Sequence, residues 1–507
     1  MQNVMDMKRN KPDIISFIKQ AGVSSLLFIV LVGLSLTVLT VGYMSTMRNL
    51  QSSATTTHAQ TQAQMQAMIG YHAFSKYLNQ LSKEDNGLRL IDQLCNGEIE
   101  ESNPETQIKF ERVGACNNPV LKDQYKFDII GKSGGASAIL RANYNITSEL
   151  SKEQFKGSVF EGGLQVNKLE SLIADGVTLE VGGGTISEMG GSGKTYSEAE
   201  LIAAGIKVVP YQQRDFISPE EARKYANYIF YSQGGVNYCK RNNYYDANTS
   251  KKITSETDAE AVSSCAQGIS KSTDKWIVNS SLELPVGVLW FDGDVEVQIH
   301  NSEVVVEENN SGTKTNVTTN NPKNILVNTI ISTKHINSTI IELNGNYVAT
   351  YYKAYAPHHY VLNAASEADK TERLKKICPT NYPTQYCESA GVLKSFAEME
   401  KMPASISNLL YLSRTLQLSG GKDQKNVHVN YYGNLIANST AAGTGSSSGK
   451  LVGTGTVRIE GNLMVVGGTD MTEMTGDFKL NLSKADDPGN FVPVHKKIFT
   501  VGGMRYM

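Results

Sequence analysis

The sequence predicts an α+β protein with a long N-terminal membrane-spanning helix, then a small sheet, then a large β-rich domain that is either β-helix-like or a sandwich. There is no charged residue between Lys19 and Arg48, which is typical of a membrane span. Further on, apolar and polar residues alternate in runs such as Val295–Ile299 and Thr456–Glu460, which indicates strands. A chain of 507 residues exceeds one ordinary core, so we expect several domains.

The charge balance is close to neutral. The chain has 48 Lys and Arg against 50 Asp and Glu, a net charge of -2, and charged residues make up 19% of it. A nucleic-acid-binding protein would carry a basic surplus, so we expect no nucleic-acid partner.

The apolar segment Val23–Met44 is long enough to cross a hydrocarbon core of about 30 Å as a helix. Four basic residues precede it: Lys8, Arg9, Lys11 and Lys19. By the positive-inside rule they keep the N-terminus in the cytoplasm and place the rest of the chain outside the inner membrane. A cleaved secretory signal is disfavoured, because the apolar run is full length and passes directly into more helix.

The helix is predicted to continue to about Leu81, since Ser45–Leu81 lacks proline and is rich in Ala, Gln and Met. Its apolar residues recur at helical spacing, which predicts an amphipathic helix that lies either on its own globular domain or on neighbouring helices. These apolar residues are Leu50, Met65, Met68, Ile69, Ala73, Tyr77, Leu78 and Leu81.

The segment 15–82 resembles the N-terminus of type IV pilins. A basic leader ends in Lys19-Gln20-Ala21-Gly22, and an uncharged apolar run follows at once. This is similar to class III signal sequences, in which a prepilin peptidase cuts after the glycine. The closer resemblance is to PilX-type minor pilins, through Met47-Arg48 and the Ala/Gln-rich stretch Ala59–Met68.

The resemblance implies cleavage between Gly22 and Val23. Major pilins carry a glutamate five residues into the mature chain, where this sequence has Leu27. In the family that carboxylate pairs with a neighbouring subunit, because a buried unpaired charge in a membrane is costly. Its absence favours a low-copy subunit over a repeating one.

The expected function is therefore a minor pilin of a type IV pilus, low in copy number and tip-located, acting in assembly or surface attachment and not as an enzyme. Its partners would be other pilins or pseudopilins through the helix, the prepilin peptidase, the inner membrane and a surface ligand. We expect no cofactor and no metal. The chain would sit in the inner membrane with its bulk periplasmic, and then on the pilus or cell surface.

Three alternatives remain open on the sequence: a type II secretion pseudopilin, a membrane-tethered periplasmic structural protein, and a carbohydrate-active β-helix enzyme. The enzyme would need a groove of clustered carboxylates, and the sequence shows only scattered acids. The predicted regions are a leader (1–22), the helix (23–82), a small β region (83–165) and the large β-rich domain with inserted helices (166–507).

Six cysteines fall into three local couples: Cys95 with Cys116, Cys239 with Cys265, and Cys378 with Cys387. Six cysteines allow fifteen pairings. Nearest-neighbour disulfides are favoured because each loop is short and the chain is predicted to be exported.

Several local patterns predict elements. Gly131–Gly135 has the spacing G-x-S-x-G, but the alternating runs on either side indicate a hairpin turn and not a nucleophile elbow. Ser218-Pro219-Glu220-Glu221 predicts a helix start leading into Ala222–Tyr231, and 364–376 and 391–401 are predicted helical. Gly-Asn or Gly-Asp turns feed short strands at Gly293, Gly345, Gly433 and Gly461.

Two further patterns bear on binding. His358-His359 is predicted to lie in a surface loop, since adjacent residues on a strand face opposite ways and would not share a metal. Tyrosines cluster at 244–245, 351–355 and 431–432. Such clusters are typical of recognition surfaces, but tyrosine is also an ordinary strand residue, and that interpretation is favoured.

Overall fold

The structure is a computed structural model. It describes residues 17–83, 102–103, 108–112, 124–182, 185–189, 193–212, 214–246, 249, 251–308, 313–318, 325–343, 347–381, 384–395, 403–422, 426–439, 449–468 and 470–507. The chain forms two compact units, the first from Met1–Thr147 with Phe499–Met507 and the second from Ser148–Ile498. The long apolar helix and the β-rich region confirm the predicted α+β class.

The first unit is built on helix α1 (Phe17–Lys83), 67 residues long and therefore about 100 Å at 1.5 Å per residue. The predicted continuous helix is confirmed and is slightly longer than expected. Its sheet comprises β1 (Ser102–Asn103), β2 (Ile108–Arg112), β3 (Gln124–Ser133), β4 (Ala136–Gln154) and β37 (Phe491–Tyr506), in that order.

The predicted hairpin is confirmed. Strands β3 and β4 pair antiparallel from Gln124↔Asn145 to Ser133↔Ala136. Gly134 and Gly135 make the turn with φ of 53° and 82°, a backbone region in which only glycine is unstrained. Arg141 and Asp128 form a cross-strand ion pair at 2.7 Å.

The second unit is a three-sheet parallel β-helix, which we describe by sheets S1, S2 and S3. Sheet S1 has, in spatial order, β10 (Lys207–Pro210), β8 (Thr178–Gly182), β5 (Gly157–Glu161), β34 (Leu463–Val466), β31 (Asn434–Asn438), β28 (Leu409–Ser413), β23 (Thr329–Ser332), β19 (Val288–Phe291), β12 (Tyr228–Gln233), β13 (Val236–Arg241) and β16 (Glu260–Ala261).

Sheet S2 has β17 (Ile269–Ser272), β18 (Lys275–Asn279), β20 (Asp294–Ile299), β24 (His335–Ile340), β29 (Thr415–Ser419), β32 (Gly449–Val452), β35 (Thr472–Thr475), β6 (Leu164–Val166) and β9 (Ile186–Glu188). Sheet S3 has β22 (Lys314–Thr318), β21 (Asn301–Glu308), β25 (Tyr347–Tyr355), β30 (Val427–Tyr432), β33 (Gly455–Glu460), β36 (Phe478–Ser483) and β7 (Leu172–Asp175).

Smaller elements complete the unit. The short strands are β11 (Asp215–Phe216), β14 (Tyr244–Asp246) with β15 (Lys251–Ile253), and β26 (Cys387–Ser389) with β27 (Val392–Leu393). The helices are α2 (Glu198–Ala203), α3 (Pro219–Ala222), α4 (Val262–Cys265), α5 (Pro357–Leu362), α6 (Glu367–Ile377) and α7 (Pro403–Ser407), and Leu169–Ser171 and Arg223–Tyr225 are single 3-10 turns.

The coils of the β-helix do not follow chain order. The coil β34–β35–β36 pairs in parallel with β5, β6 and β7, which lie about three hundred residues earlier in the sequence. Residues 157–188 therefore form coils at one end of the β-helix. The chain then runs to the opposite end of S1, where the next coil begins at β12.

The interior core lies between the three sheets. Inward residues stack from coil to coil at the two-residue period of a strand. Val429, Val457, Leu480 and Leu172 form one such column, and all are buried. Sheet S1 is buried on its outer face as well, beneath a second cluster that includes Phe216, Ile217, Val492 and Val494. For that reason its strands are continuous apolar runs.

The predicted Gly-Asn turns at Gly433 and Gly461 are corners of this β-helix. A Cβ on Gly461 (φ 140°) would lie 2.3 Å from the carbonyl oxygen of Gly433, so the stacked corners leave room only for glycine. The buried amides that follow them form a ladder, in which Asn462 Nδ2 donates to Asn434 Oδ1 at 2.8 Å. Asn462 Oδ1 accepts from the Gly157 amide at 3.0 Å, which joins a late coil to an early segment.

Two helix predictions need correction. Ser218 is an N-cap with a full capping box, as predicted, but α3 ends at Ala222 and β12 begins at Tyr228. The aromatic, β-prone residues 228–231 pair in S1 instead, since burial in a sheet outweighs local helix propensity. Within the predicted helix 391–401, Val392–Leu393 is a strand, and residues 396–400 lie outside the described part of the chain.

Candidate functional site

The outer surface of helix α1 is the most distinctive feature of the first unit. The helix contains a segment long and apolar enough to cross a membrane. From Leu26 to Leu50 its large apolar side chains are all exposed within the described chain. So large an exposed apolar surface is unfavourable in water, and the segment is consistent with a membrane anchor.

Gly22 and Val23 lie within α1. Nothing in the structure tests cleavage between them, which stays a prediction. The backbone places both residues at the N-terminal side of the exposed apolar segment.

The face of α1 that packs on its own sheet is made by small and aromatic residues. Ala63, Ala67, Gly70, Tyr71 and Phe74 are buried, whereas most of the apolar residues noted at helical spacing are not. Leu50, Met65, Ile69, Ala73 and Tyr77 are exposed, Met68 is half-buried, and the side chains of Leu78 and Leu81 lie outside the described residues.

The reason is a very close approach between the helix and strand β3. A Cβ on Gly131 would lie 2.2 Å from the Ala63 carbonyl oxygen and 2.5 Å from the Ala67 amide nitrogen. Only small residues permit backbones this close, so Ala63, Ala67 and Gly70 face the sheet. Small residues at i, i+4 and i+7 were the signal that hydrophobicity alone overlooks.

Aromatic side chains complete this contact. Phe74 packs edge-to-face on Phe127 and on Tyr144, with centroids 4.9 and 5.7 Å apart. The Tyr144 hydroxyl lies 2.8 Å from Ser75 Oγ, and burial raises the pKa of Tyr144 to about 12. This neutral, hydrogen-bonded tyrosine fixes the helix on the sheet.

A stripe of apolar residues remains on the opposite side of α1 beyond the membrane-length segment. Met65, Ile69 and Tyr77 are 61%, 59% and 49% exposed, and their spacing places them on one helix face. We call these three residues the outer stripe.

Two disulfides brace the second unit. Cys239 is bonded to Cys265, and Cys378 to Cys387, which are the couples that nearest-neighbour pairing gives. The first joins β13 to α4 at the beginning of the β-helix, and the second joins the end of α6 to β26. Cys95 and Cys116 lie outside the described residues.

The prediction of a surface loop at His358-His359 is wrong. Both residues lie in α5 and are buried, with exposures of 7% and 0%. His359 Nε2 bonds to the carbonyl oxygen of Gly489 at 3.0 Å. Burial lowers the pKa of His358 to about 4 and, together with the neighbouring His358, that of His359 to about 3. The pair is part of the packing that covers the outer face of S1.

Most of the tyrosines in the three clusters fill strands, as the favoured interpretation predicts. Tyr352, Tyr355, Tyr431 and Tyr432 are buried, so most of the predicted clusters are core. Tyr351, at the outer face of S3, is half-buried and stacks on His428 with a centroid distance of 4.8 Å. In the described part of the chain, no group of three His, Cys, Asp or Glu side chains is placed to hold a metal ion.

Comparisons with known proteins add little. No family model and no curated protein sequence matches the chain. Among solved structures, the crystal structure of competence-associated pilin ComZ from Thermus thermophilus aligns over 89% of this chain and 97% of that chain, with 10% sequence identity and a TM-score of 0.21. Similarity at that level does not establish a shared fold or function.

Proposed function

We propose that the chain is a minor pilin of a type IV pilus, low in copy number and tip-located, that acts in pilus assembly or surface attachment. The observation that carries the proposal is helix α1. One uninterrupted helix joins an exposed, membrane-length apolar segment to a half that packs on an antiparallel sheet through one face only.

The outer stripe supports assembly through this helix. A simple membrane anchor has no need of exposed Met65, Ile69 and Tyr77 beyond the apolar segment, because each costs free energy in water. In a bundle of similar helices the same side chains are buried against neighbours, and the uncharged segment can pass from the membrane into that bundle. The partners would be other pilins.

Leu27 supports a low copy number. In the family that the N-terminus resembles, a glutamate at this position links successive subunits. Leucine places no carboxylate in the apolar segment and makes no such link, so the chain fits a terminal place better than a repeating one.

The second unit supplies the part of the chain that would make contacts outside the cell. Its β-helix is closed by α2 at one end, where Leu201 and Tyr196 join the interior core, and by the Cys239–Cys265 cap at the other. Covered ends prevent edge-to-edge aggregation, as a domain exposed outside the cell requires. We propose a role in contact and not catalysis.

The test is the N-terminal residue of the membrane-extracted protein, measured by mass spectrometry in strains with and without an active prepilin peptidase. The proposal predicts a chain that starts at Val23 only when the peptidase is present. Gly22→Val should block processing, while Gln20→Ala should leave it unchanged. A chain that keeps Met1–Gly22 in both strains would overturn the proposal.

A second measurement separates a pilus from a secretion system. Sheared surface filaments should contain the protein at low stoichiometry, and antibody labelling should mark filament ends. Labelling along the whole length, or absence from filaments with processing intact, would contradict a tip-located pilin.

A further inference from the structure

A polar cleft lies on the outer face of sheet S1 at the β12 end of the β-helix. It consists of two neighbouring cavities that share Arg223 in their lining, with volumes of about 290 Å³ and about 560 Å³. These volumes are in the range of small-molecule sites, about 300–1,000 Å³. We call them the inner and the outer cavity.

Strand alternation builds the inner cavity. Ile229, Tyr231 and Gln233 point to the same side of β12, because successive side chains alternate across a strand. Beside them lie Lys240 from β13, Trp290 from β19, and Asp292, which directly follows β19.

Two aromatic rings wall this cavity, and each has a cation beside it. The Arg223 guanidinium lies 5.5 Å from the Trp290 ring centroid, and Lys240 Nζ lies 5.9 Å from that of Tyr231. Tyr231 is half-buried and stacks on Tyr238 at 5.6 Å. The Trp290 indole donates to the Pro219 carbonyl oxygen at 2.8 Å, so both rings are held in place before any ligand arrives.

Hydrogen-bonding groups line both cavities. The exposed side chain of Gln233 has no hydrogen-bond partner among the described residues. In the outer cavity the lining includes Asn242, Asn243, Thr254 and Ser255. Asn243 has a φ of 51°, a left-handed turn conformation that asparagine adopts more readily than most residues.

The charges of the cleft are nearly balanced. The two linings together contain three basic and four acidic residues. They are Arg223, Lys224 and Lys240, and Glu220, Glu221, Glu256 and Asp292. Glu256 pairs with Arg223 at 2.6 Å and with Lys240 at 3.4 Å, and Glu220 pairs with Arg414 at 2.6 Å. An anionic ligand would have to compete with these internal pairs, so a neutral ligand fits better.

We propose that this cleft binds a short neutral oligosaccharide. Sugar rings present C–H faces that pack on aromatic rings and hydroxyls that pair with planar amide, carboxylate and guanidinium groups. Half-buried Tyr231 supplies the first surface, since Trp290 is only 7% exposed. Gln233, Asp292 and Arg223 supply the second. The inference deepens the attachment role of the proposed function and rests on it only for the location outside the cell.

The test uses the full chain purified in a detergent without a sugar headgroup, since a glycoside detergent would compete for the cleft. An array of neutral gluco-, galacto-, manno- and N-acetylhexosamine oligosaccharides identifies the ligand, and titration calorimetry then measures its Kd. Acidic oligosaccharides of the same length are included on the array. Saturable binding that prefers neutral sugars is expected. Absence of binding to all of them, or preference for the acidic ones, would overturn the proposal.

Matched variants locate the site. Tyr231→Ala should raise Kd by about tenfold, as loss of a central aromatic contact does. Tyr351→Ala removes a half-buried, stacked tyrosine from the outer face of S3 and should leave Kd unchanged. Gln233→Ala should raise Kd about threefold through one lost hydrogen bond, and the exposed Gln267→Ala should not.

The variants are compared at equal thermal stability, so that a folding defect is recognised as such. Equal Kd for Tyr231→Ala and Tyr351→Ala would place the ligand elsewhere and overturn the assignment. A protein that is cleaved at Gly22 but binds no sugar contradicts only this inference. A protein that binds sugar but keeps its leader contradicts only the proposed function.

Discussion

At the residue scale, buried polar side chains decide much of how the β-helix is held together. Five asparagines are buried where the chain enters successive strands of S1. They are Asn227, Asn328, Asn408, Asn434 and Asn462. Each binds backbone or another amide; for example, Asn328 Nδ2 donates to the carbonyl oxygens of Pro285 and Gly287 at 2.7 and 3.1 Å. A buried amide is tolerated only with such partners, so these positions are specific to asparagine.

Asn462→Ala should lower the free energy of unfolding of the second unit by about 1–3 kcal/mol, because the buried Gly157 amide loses its acceptor. Denaturant unfolding followed by tryptophan fluorescence measures this, since Trp276 and Trp290 both lie in the unit. Asn430→Ala, a half-buried amide on the outer face of S3, is the control and should stay within about 0.5 kcal/mol of the parent. Equal effects would mean that the ladder adds nothing.

His358 and His359 predict a loss of stability in mild acid. Burial lowers their pKa to about 4 and about 3 in the folded chain, against about 6.5 when unfolded. The unfolded state therefore binds protons first. The stabilisation is complete above pH 6.5 and declines as the pH falls toward 4, by up to about 1.4 kcal/mol per pH unit for each histidine.

The measurement is the free energy of unfolding between pH 7.5 and 4.5. His358→Gln should flatten the slope below pH 6.5, and His58→Gln, an exposed residue of α1, should not. A parent protein with no slope between pH 6.5 and 4.5 would contradict burial of the pair in its neutral form.

At the element scale, α1 and β3 touch backbone to backbone. The contact depends on glycine in the strand and on alanine and glycine in the helix, and not on large apolar side chains. Ser133 Oγ also donates to Gln62 Oε1 at 2.8 Å, which adds a polar contact near the hairpin turn.

Gly131→Ala should separate the helix from the sheet, because its Cβ would meet helix backbone at 2.2 Å. We expect a loss of about 1–3 kcal/mol in the stability of the first unit, the usual cost of overpacking. Hydrogen exchange of amides 63–77 and 124–145 reports it. Gly42→Ala, with no atom within 4 Å of the added Cβ, is the control, and equal exchange in both variants would refute the close approach.

At the scale of the whole molecule, the order of the coils differs from the order of the chain. In the segment 157–188, strands β5, β6 and β7 pair along one side with β34, β35 and β36. Those hydrogen bonds therefore wait for residues synthesised about three hundred positions later. Contacts of such long sequence separation are slow to form.

Leu480→Ala tests this arrangement. Leu480 is fully buried in β36 and stacks in register on Leu172, so the cavity should destabilise that end of the β-helix by about 2–5 kcal/mol. Because each coil contacts mainly its neighbours, hydrogen exchange should rise at 157–188. Leu289→Ala, equally buried in β19, should instead raise exchange at 228–233 and 329–332. Unchanged exchange at 157–188 in Leu480→Ala would refute the stacking.

Local patterns in the sequence suffice for several features. The uncharged stretch between Lys19 and Arg48 predicts the long apolar helix, the glycines at 134–135 predict the β3–β4 turn, and Ser218 predicts the cap of α3. Each depends on residues within a few positions of one another, where propensity, capping and periodicity act without help from the rest of the chain.

Other features were decided by the tertiary structure. Helical spacing marked Met65 and Ile69 as apolar but could not say what covers them, whereas the close approach of Gly131 selected Ala63 and Ala67 for the sheet. His358 and His359 are buried by α7 and Gly489. The cleft brings Arg223, from a 3-10 turn, beside Trp290 of β19 and Lys240 of β13. The long helix, the β3–β4 turn and the cap of α3 follow from local sequence, because they depend on local geometry, whereas the end of α3 at Ala222 depended on pairing of the next segment in a sheet. Which faces are buried, and which coil lies beside which, depended on contacts between distant segments that no local pattern records.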